Sequence, residues 1–288
     1  MIILFGSNGY IGSEFATQLK QLNVNVIHWK NTKNTTFNDL QCWYHSNGCP
    51  KIEAVINAAG YTGKPNVDSC EIEKTTTIHG NIIWTQILTN WCMLNNILIT
   101  HISSGCIYNG KKDDGSGFSE QDEPNFTWKQ NNCSFYSGSK VVGENIISQW
   151  SKHYICRLRI PFEENHNNRN YLSKLLNYNQ LLNAENSISN KNEFVNAVIQ
   201  MIRNHVPFGI YNITNTGHIT TEEIVKKLKK TIAKNKQFNF ITEKEFYSNF
   251  AIAPRSNCII NNSKLLSLGI KMRPVDEAID YCLTNWKY

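Results

Sequence analysis

Ile2-Ile3-Leu4-Phe5-Gly6-Ser7-Asn8-Gly9-Tyr10-Ile11-Gly12 is the stretch that decides the fold. Four apolar residues closed by a glycine read as a short strand buried on both faces. Glycines 6, 9 and 12 then follow at GxxGxxG spacing. They permit a tight turn, close backbone approach to a pyrophosphate and close packing of a helix on the strand, with the helix N-terminus facing the phosphates. The spacing predicts a helix from about Tyr10 to Leu22, with Phe15, Leu19 and Leu22 on one face. Val24–Trp29 and Ala54–Asn57 read as the second and third strands. Residues 6–12 are therefore the first candidates for holding a dinucleotide: Gly6, Ser7, Asn8, Gly9, Tyr10, Ile11 and Gly12.

Further along, the pattern repeats. A long helix is expected around Thr77–Asn95, a strand at Ile97–Ile102, a helix at Tyr136–Trp150 and a strand at Tyr154–Ile160. A short helix is expected around Leu40–His45. Strands alternating with helices imply an α/β chain built on a Rossmann-type, doubly wound parallel sheet with right-handed crossovers. After Pro161 the texture becomes polar and rich in Asn. Helices are expected at Tyr171–Leu182, Glu193–Arg203 and Thr220–Ala233, and a strand at Phe208–Ile213. We expect a nucleotide-binding domain over 1–161 and a smaller substrate-binding domain over 162–288, with part of 190–215 returning to the first. Lys226, Lys227, Lys229 and Lys230 line a solvated face opposite Ile224, Val225, Leu228 and Ile232, so no nucleic-acid partner is inferred from them.

Composition sets outer limits. At 288 residues, 41% hydrophobic and 11% aromatic, the chain can bury a full core, and disorder is excluded. No apolar run approaches the length of a membrane-spanning helix. A net charge of +6 favours anionic ligands. The nine cysteines are odd in number and scattered, without a CxxC pair or zinc spacing, so reduced thiols, no metal site and a cytoplasmic location are expected. No secretory signal is expected ahead of the first strand.

The second strand ends His28-Trp29-Lys30 without the acidic residue that usually binds the ribose 2′-hydroxyl of NAD. Lys30 suits a 2′-phosphate and Trp29 could cover an adenine, so NADPH is expected ahead of NADH. Downstream, Tyr136-Ser137-Gly138-Ser139-Lys140 places a phenol and an ammonium four residues apart on one helix face. A phenol can give a proton to a carbonyl oxygen as hydride reaches the carbon, if a neighbouring cation lowers its pKa.

The glycine turn, Ser103-Ser104 at a strand end and the YxxxK pair together resemble the extended short-chain dehydrogenase/reductases. The resemblance implies Ser104, Tyr136 and Lys140 as the reactive group. It also implies Asn57-Ala58-Ala59-Gly60 beside the cofactor and Pro161 next to the nicotinamide. In the sugar-nucleotide 4,6-dehydratases of that superfamily the stretch after the catalytic hydroxyl carries Asp and Glu. Here Gly105 and Cys106 replace them, which removes dehydratase chemistry and leaves a thiol. A fuller match runs through residues 57–71, Gly105-Cys106-Ile107, Gly117-Phe118, Glu120, Pro124-Asn125-Phe126 and Ala253-Pro254-Arg255-Ser256-Asn257. These stretches resemble the bifunctional UDP-4-keto-6-deoxyglucose 3,5-epimerase/4-keto-reductases of UDP-rhamnose synthesis, the C-terminal part of plant rhamnose synthases.

This resemblance assigns Cys106 and Lys174 to epimerisation, either of them as the abstracting or the returning group. It points to Thr62, Lys64, Arg169, Asn170 and Arg255 as substrate contacts, with Lys64 standing where plant members have Arg. It favours UDP over dTDP and implies a 4,6-dehydratase on a separate chain upstream and a homodimer. Two other readings stay open on the sequence: a reductase acting on a pre-epimerised 4-keto-rhamnose nucleotide, and a non-catalytic nucleotide-binding regulatory subunit on the same fold.

Overall fold

The computed structural model describes all of residues 1–288. β1 (Ile2–Phe5), β2 (Val26–Trp29), β3 (Ala54–Asn57), β4 (Leu98–Ser104) and β5 (His153–Leu158) join the strand Gly209–Asn212 in one sheet. Its order is Gly209–Asn212, β5, β4, β3, β1, β2, and every pairing is parallel. The order reverses between β1 and β3, so the loops leaving the carboxyl ends of these strands open a crevice. β1 and β3 are buried along their whole length, as continuous apolar runs require.

The sheet is covered on both faces. Phe15 and Leu19 from the helix Gly12–Gln21 join Phe194, Val198 and Ile202 from the helix Lys191–Arg203 in one core. Trp84, Leu88 and Trp91 pack with Ile3, Phe5 and Val55 on the other. Phe162, Leu172, Leu175, Ile224, Leu228 and Ile279 form a separate core beyond the carboxyl edge. The helix 191–203 and the strand 209–212 thus belong to the sheet, although residues on both sides of them in sequence pack into the other core. No helix is long and apolar enough to cross a membrane.

Several expected elements change shape. The first helix begins at Gly12, because residues 6–11 are spent on the turn. The helix expected over Thr77–Asn95 is broken by a π turn at His79–Ile83 between the α segments Lys74–Ile78 and Trp84–Leu94. The wider turn carries Asn81, whose side chain bonds both backbone groups of Tyr61 and the Ser139 hydroxyl. The helix expected over Tyr171–Leu182 ends at Asn177. Gln180–Leu182 becomes a strand paired with Asn239–Ile241, a partner that local pattern did not reveal.

Candidate active site

The loops after β1, β3, β4 and β5 meet the second core around a cleft of about 1410 Å³. Its cofactor side is made of backbone. Gly6 has φ +78°, and a Cβ there would fall 2.6 Å from the Ala59 nitrogen; one on Gly12 would fall 2.0 Å from the Gly6 oxygen. The turn therefore closes only with glycine at both positions. Asn8, Gly9, Tyr10, Ile11, Ala58, Ala59 and Gly60 line the cleft, while Gly6, Ser7 and Gly12 lie outside the lining. Lys191 reaches back over the Tyr10 ring at 4.8 Å and bonds Glu163 at 2.7 Å, tying the turn to the second core. Burial and the Glu163 carboxylate hold the Tyr10 hydroxyl far above the ordinary phenol range.

Three sequence candidates have structural work. Asn57 is fully buried and its amide bonds Trp84, His101 and the Ala59 nitrogen beneath the cleft floor. Trp29 packs against Phe5 and Trp43 and donates to Thr35, outside the cleft lining; Lys30 beside it is exposed. Asn170, expected as a substrate contact, is the correction: it is fully buried and caps the helix Tyr171–Asn177. Its oxygen accepts from Leu172 and Glu163 and its nitrogen donates to the carbonyls of Glu163 and Asn165. No valence is left for a sugar.

The reactive side is made of side chains from distant segments. Ser104 ends β4, and its oxygen accepts from the Cys106 nitrogen at 3.2 Å, fixing the one-turn 3₁₀ helix that presents Cys106. Tyr136 and Lys140 lie on the helix Phe135–Ile147, whose start is capped by Ser134 and by Glu71, which accepts from the Phe135 nitrogen at 2.7 Å. Ser104, Cys106, Tyr136, Lys140 and Pro161 all line the cleft. Pro161 follows Ile160, a β-branched residue at φ +35°, where the chain turns out of β5 towards the second core. Lys174 projects from the helix Tyr171–Asn177 into the same cleft. Burial, with Arg169 and Arg255 nearby, lowers its pKa from the usual amine value.

Burial first, with Cys106 and Cys70 close by, pushes Tyr136 well above the ordinary phenol value, against smaller opposing effects of Ser104 and Arg159. The Lys140 ammonium position is turned into the protein, donating to the Ile102 carbonyl at 2.9 Å.

The entrance is held by cations. Arg169 donates to Thr62 Oγ1 at 3.2 Å and to the Gly63 carbonyl at 2.9 Å, so it clamps the loop that carries Thr62 and Lys64. Arg255 makes two bonds to Asp68, at 2.8 and 2.7 Å, while facing the cleft. Arg159 escaped the sequence reading. It is 4% exposed, lines the cleft and donates through Nη2 to Asn186 Oδ1 and the Ser256 carbonyl, but it is in no ion pair and its Nε has no partner. Arg157, two residues earlier and within β5, is by contrast paired with Glu144, at 2.7 Å for Nη2. A buried guanidinium without a counter-charge is costly, and the cleft it lines is where an anion would repay it.

The chain matches the family model described as RmlD substrate binding domain over residues 1–287. Across 274 residues it is 32% identical to an Arabidopsis thaliana trifunctional UDP-glucose 4,6-dehydratase/UDP-4-keto-6-deoxy-D-glucose 3,5-epimerase/UDP-4-keto-L-rhamnose-reductase, covering 91% of this chain and 38% of that protein. The chain thus spans little more than a third of that relative. A bifunctional dTDP-4-dehydrorhamnose 3,5-epimerase/dTDP-4-dehydrorhamnose reductase of the same plant is 31% identical over 80% of this chain and 75% of its own length. In fold, the L780 UDP-rhamnose synthase of Acanthamoeba polyphaga mimivirus superposes with a TM-score of 0.88 at 23% identity, covering 99% of this chain and 98% of that one. With the whole chain matched and the YxxxK pair, the hydroxyl and the glycine turn meeting in one cleft, the chain belongs to the RmlD substrate binding domain family.

Proposed function

We propose that this chain inverts C3 and C5 of UDP-4-keto-6-deoxyglucose and then reduces its C4 ketone with NADPH, giving UDP-L-rhamnose. The observation that carries the reading is the meeting of Cys106 and Lys174 with Ser104, Tyr136 and Lys140 in one cleft, although Lys174 comes from a different core. The glycine turn fits a dinucleotide, since the space a Cβ would need is taken by backbone at Gly6 and Gly12. Residues 8–11 and 58–60, with Tyr136, Lys140 and Pro161, would hold it, and Lys30 at the end of β2 suits a 2′-phosphate. When bound, NADPH supplies the hydride for C4.

The protein's own groups do the rest. A ketone at C4 acidifies the hydrogens at C3 and C5, because the resulting enediolate places its charge on O4. Inversion needs one group to take a proton and another to return one on the opposite face. Lys174 is equipped to take part because burial and two neighbouring arginines favour its neutral amine. Cys106 is the partner thiol, held by the turn that Ser104 fixes. Ser104 and Tyr136 hydrogen-bond O4 and stabilise the enediolate. Tyr136 then gives its proton to O4 as the alcohol forms; its raised pKa keeps it a phenol, the form this step requires.

The test separates the two activities. In D2O the native enzyme is expected to place deuterium at C3 and C5 of the 4-keto sugar. Cys106→Ser is expected to lose that exchange while still oxidising NADPH with a pre-epimerised 4-keto-rhamnose nucleotide. Undiminished exchange in the variant would remove Cys106 from the mechanism, and absent exchange in the native enzyme would leave a reductase alone.

A further inference from the structure

His101 is a buried titratable group that the mechanism above leaves unused. It lies in β4 at 1% exposure, level with Asn57 of β3 on one side and Ile155 of β5 on the other. Its Nδ1 is 3.0 Å from Asn57 Nδ2, and its Nε2 is 3.2 Å from Lys140 Nζ. The Asn57 amide cannot turn round. Its Oδ1 accepts from Trp84 Nε1 at 3.2 Å, and an indole nitrogen only donates; it also accepts from the Ala59 nitrogen at 3.2 Å. A donor therefore faces Nδ1, and Nδ1 must accept.

A neutral imidazole carries one N–H, which is then on Nε2 and aimed at Lys140. An ammonium there would oppose hydrogen to hydrogen. A free amine would accept from His101 through its lone pair while donating to the Ile102 carbonyl, and every partner would be satisfied.

We propose that His101 is a positioning residue of the reduction, locked by Asn57 as the Nε2–H tautomer so that it biases Lys140 towards its neutral amine form. The inference rests on the reductase reading for its consequence in turnover, though its geometry does not. Burial, with Lys140 beside it, keeps His101 far below the usual histidine value, so the imidazole stays neutral. Burial brings Lys140 down to about 8, against the opposing pull of Cys106 on the neighbouring turn and of Glu144 on its own helix. Glu144 is committed to Arg157 and to the Ser103 hydroxyl, and Tyr136 is the other titratable group on that helix. Lys140 is in this account a group that changes charge near neutral pH, where the sequence motif alone suggests a fixed cation.

Two measurements decide it. Imidazole nitrogen NMR of the unmodified protein is expected to show His101 as the Nε2–H tautomer; the Nδ1–H tautomer would overturn the proposal without any mutation. In His101→Gln the side-chain carbonyl can turn to Lys140 and accept from an ammonium. The midpoint of the Lys140 titration, read by lysine side-chain NMR with Lys140→Arg as the assignment control, is expected to rise by about one unit, a tenfold gain in proton affinity. The corresponding limb of the kcat profile for reduction should move with it. A midpoint that stays put in a folded, NADPH-binding variant would overturn the proposal. Were the reductase reading itself wrong, NADPH oxidation would be absent in the native protein while both NMR results stood.

Discussion

The two walls of the cleft are built by opposite means. The glycine turn places peptide groups, and its geometry is closed by contacts among residues 6, 12, 58 and 59 that no side chain can replace. The opposite wall places the side chains of Cys106, Arg159, Lys174 and Arg255, and its entrance is held by bonds between segments more than 100 residues apart, Arg169 with Gly63 and Arg255 with Asp68. A backbone site tolerates almost no change at its glycines. A side-chain site can be altered one group at a time, and its parts can differ in how much each matters.

The largest effect is expected where the backbone wall is breached. In Gly12→Val the new Cβ would lie 2.0 Å from the Gly6 carbonyl oxygen, so either the helix or the turn must move. NADPH affinity, followed by cofactor fluorescence, should fall by at least ~100-fold, with lower thermal stability, as expected for overpacking at a fixed backbone contact. Retained affinity would mean that the turn is more pliable than this packing allows.

The same contrast explains what could be read from sequence. The turn, β1 and the YxxxK pair are contiguous, so spacing alone displayed them. The π turn at His79–Ile83 was invisible because its cause is tertiary: Asn81 must reach Tyr61 and Ser139. Asn170 was mistaken for a substrate contact because a helix-capping asparagine and a ligand-binding one look alike in an Asn-rich segment. Cys106 and Lys174 stood out through family resemblance, and nothing in their local spacing joined them. Arg159 left a signal that went unused. Arg157 lies near the end of a buried strand and Arg159 stands just past it, and Glu144 neutralises only Arg157.

That leftover charge gives the next prediction. Arg159→Met keeps the stem that packs near Gly105 but removes a guanidinium with no carboxylate partner. No ion pair is broken, but the hydrogen bonds to Asn186 and the Ser256 carbonyl are lost, so stability should fall by about 1–3 kcal/mol, whereas breaking the buried Arg157–Glu144 pair would cost about 3–5 kcal/mol. Turnover of the 4-keto sugar should drop by ~100-fold, the scale for losing one preorganised group that opposes developing negative charge. Unchanged turnover with a lower melting temperature would make Arg159 a purely structural cation.

The smallest effect is expected at the rim. Asp68 accepts two bonds from Arg255 and backbone N–H bonds from Ala253 and Ile252, and so holds Arg255 beside the cleft. Partial burial raises its pKa, but Arg255 and the two backbone donors outweigh that, and the carboxyl is held below the ordinary value. A depressed folded-state pKa means that the contribution is complete above the unfolded value of about 3.9 and is lost only as pH falls through the folded one. The KM for the nucleotide sugar should therefore show no change from this group between neutral pH and about pH 5. In Asp68→Asn at neutral pH the uncharged amide cannot hold the guanidinium in the same two-point geometry, so KM should rise by about tenfold with kcat nearly unchanged. A fall in kcat instead would place Arg255 at the reacting atoms, on the same footing as the Cys106 wall.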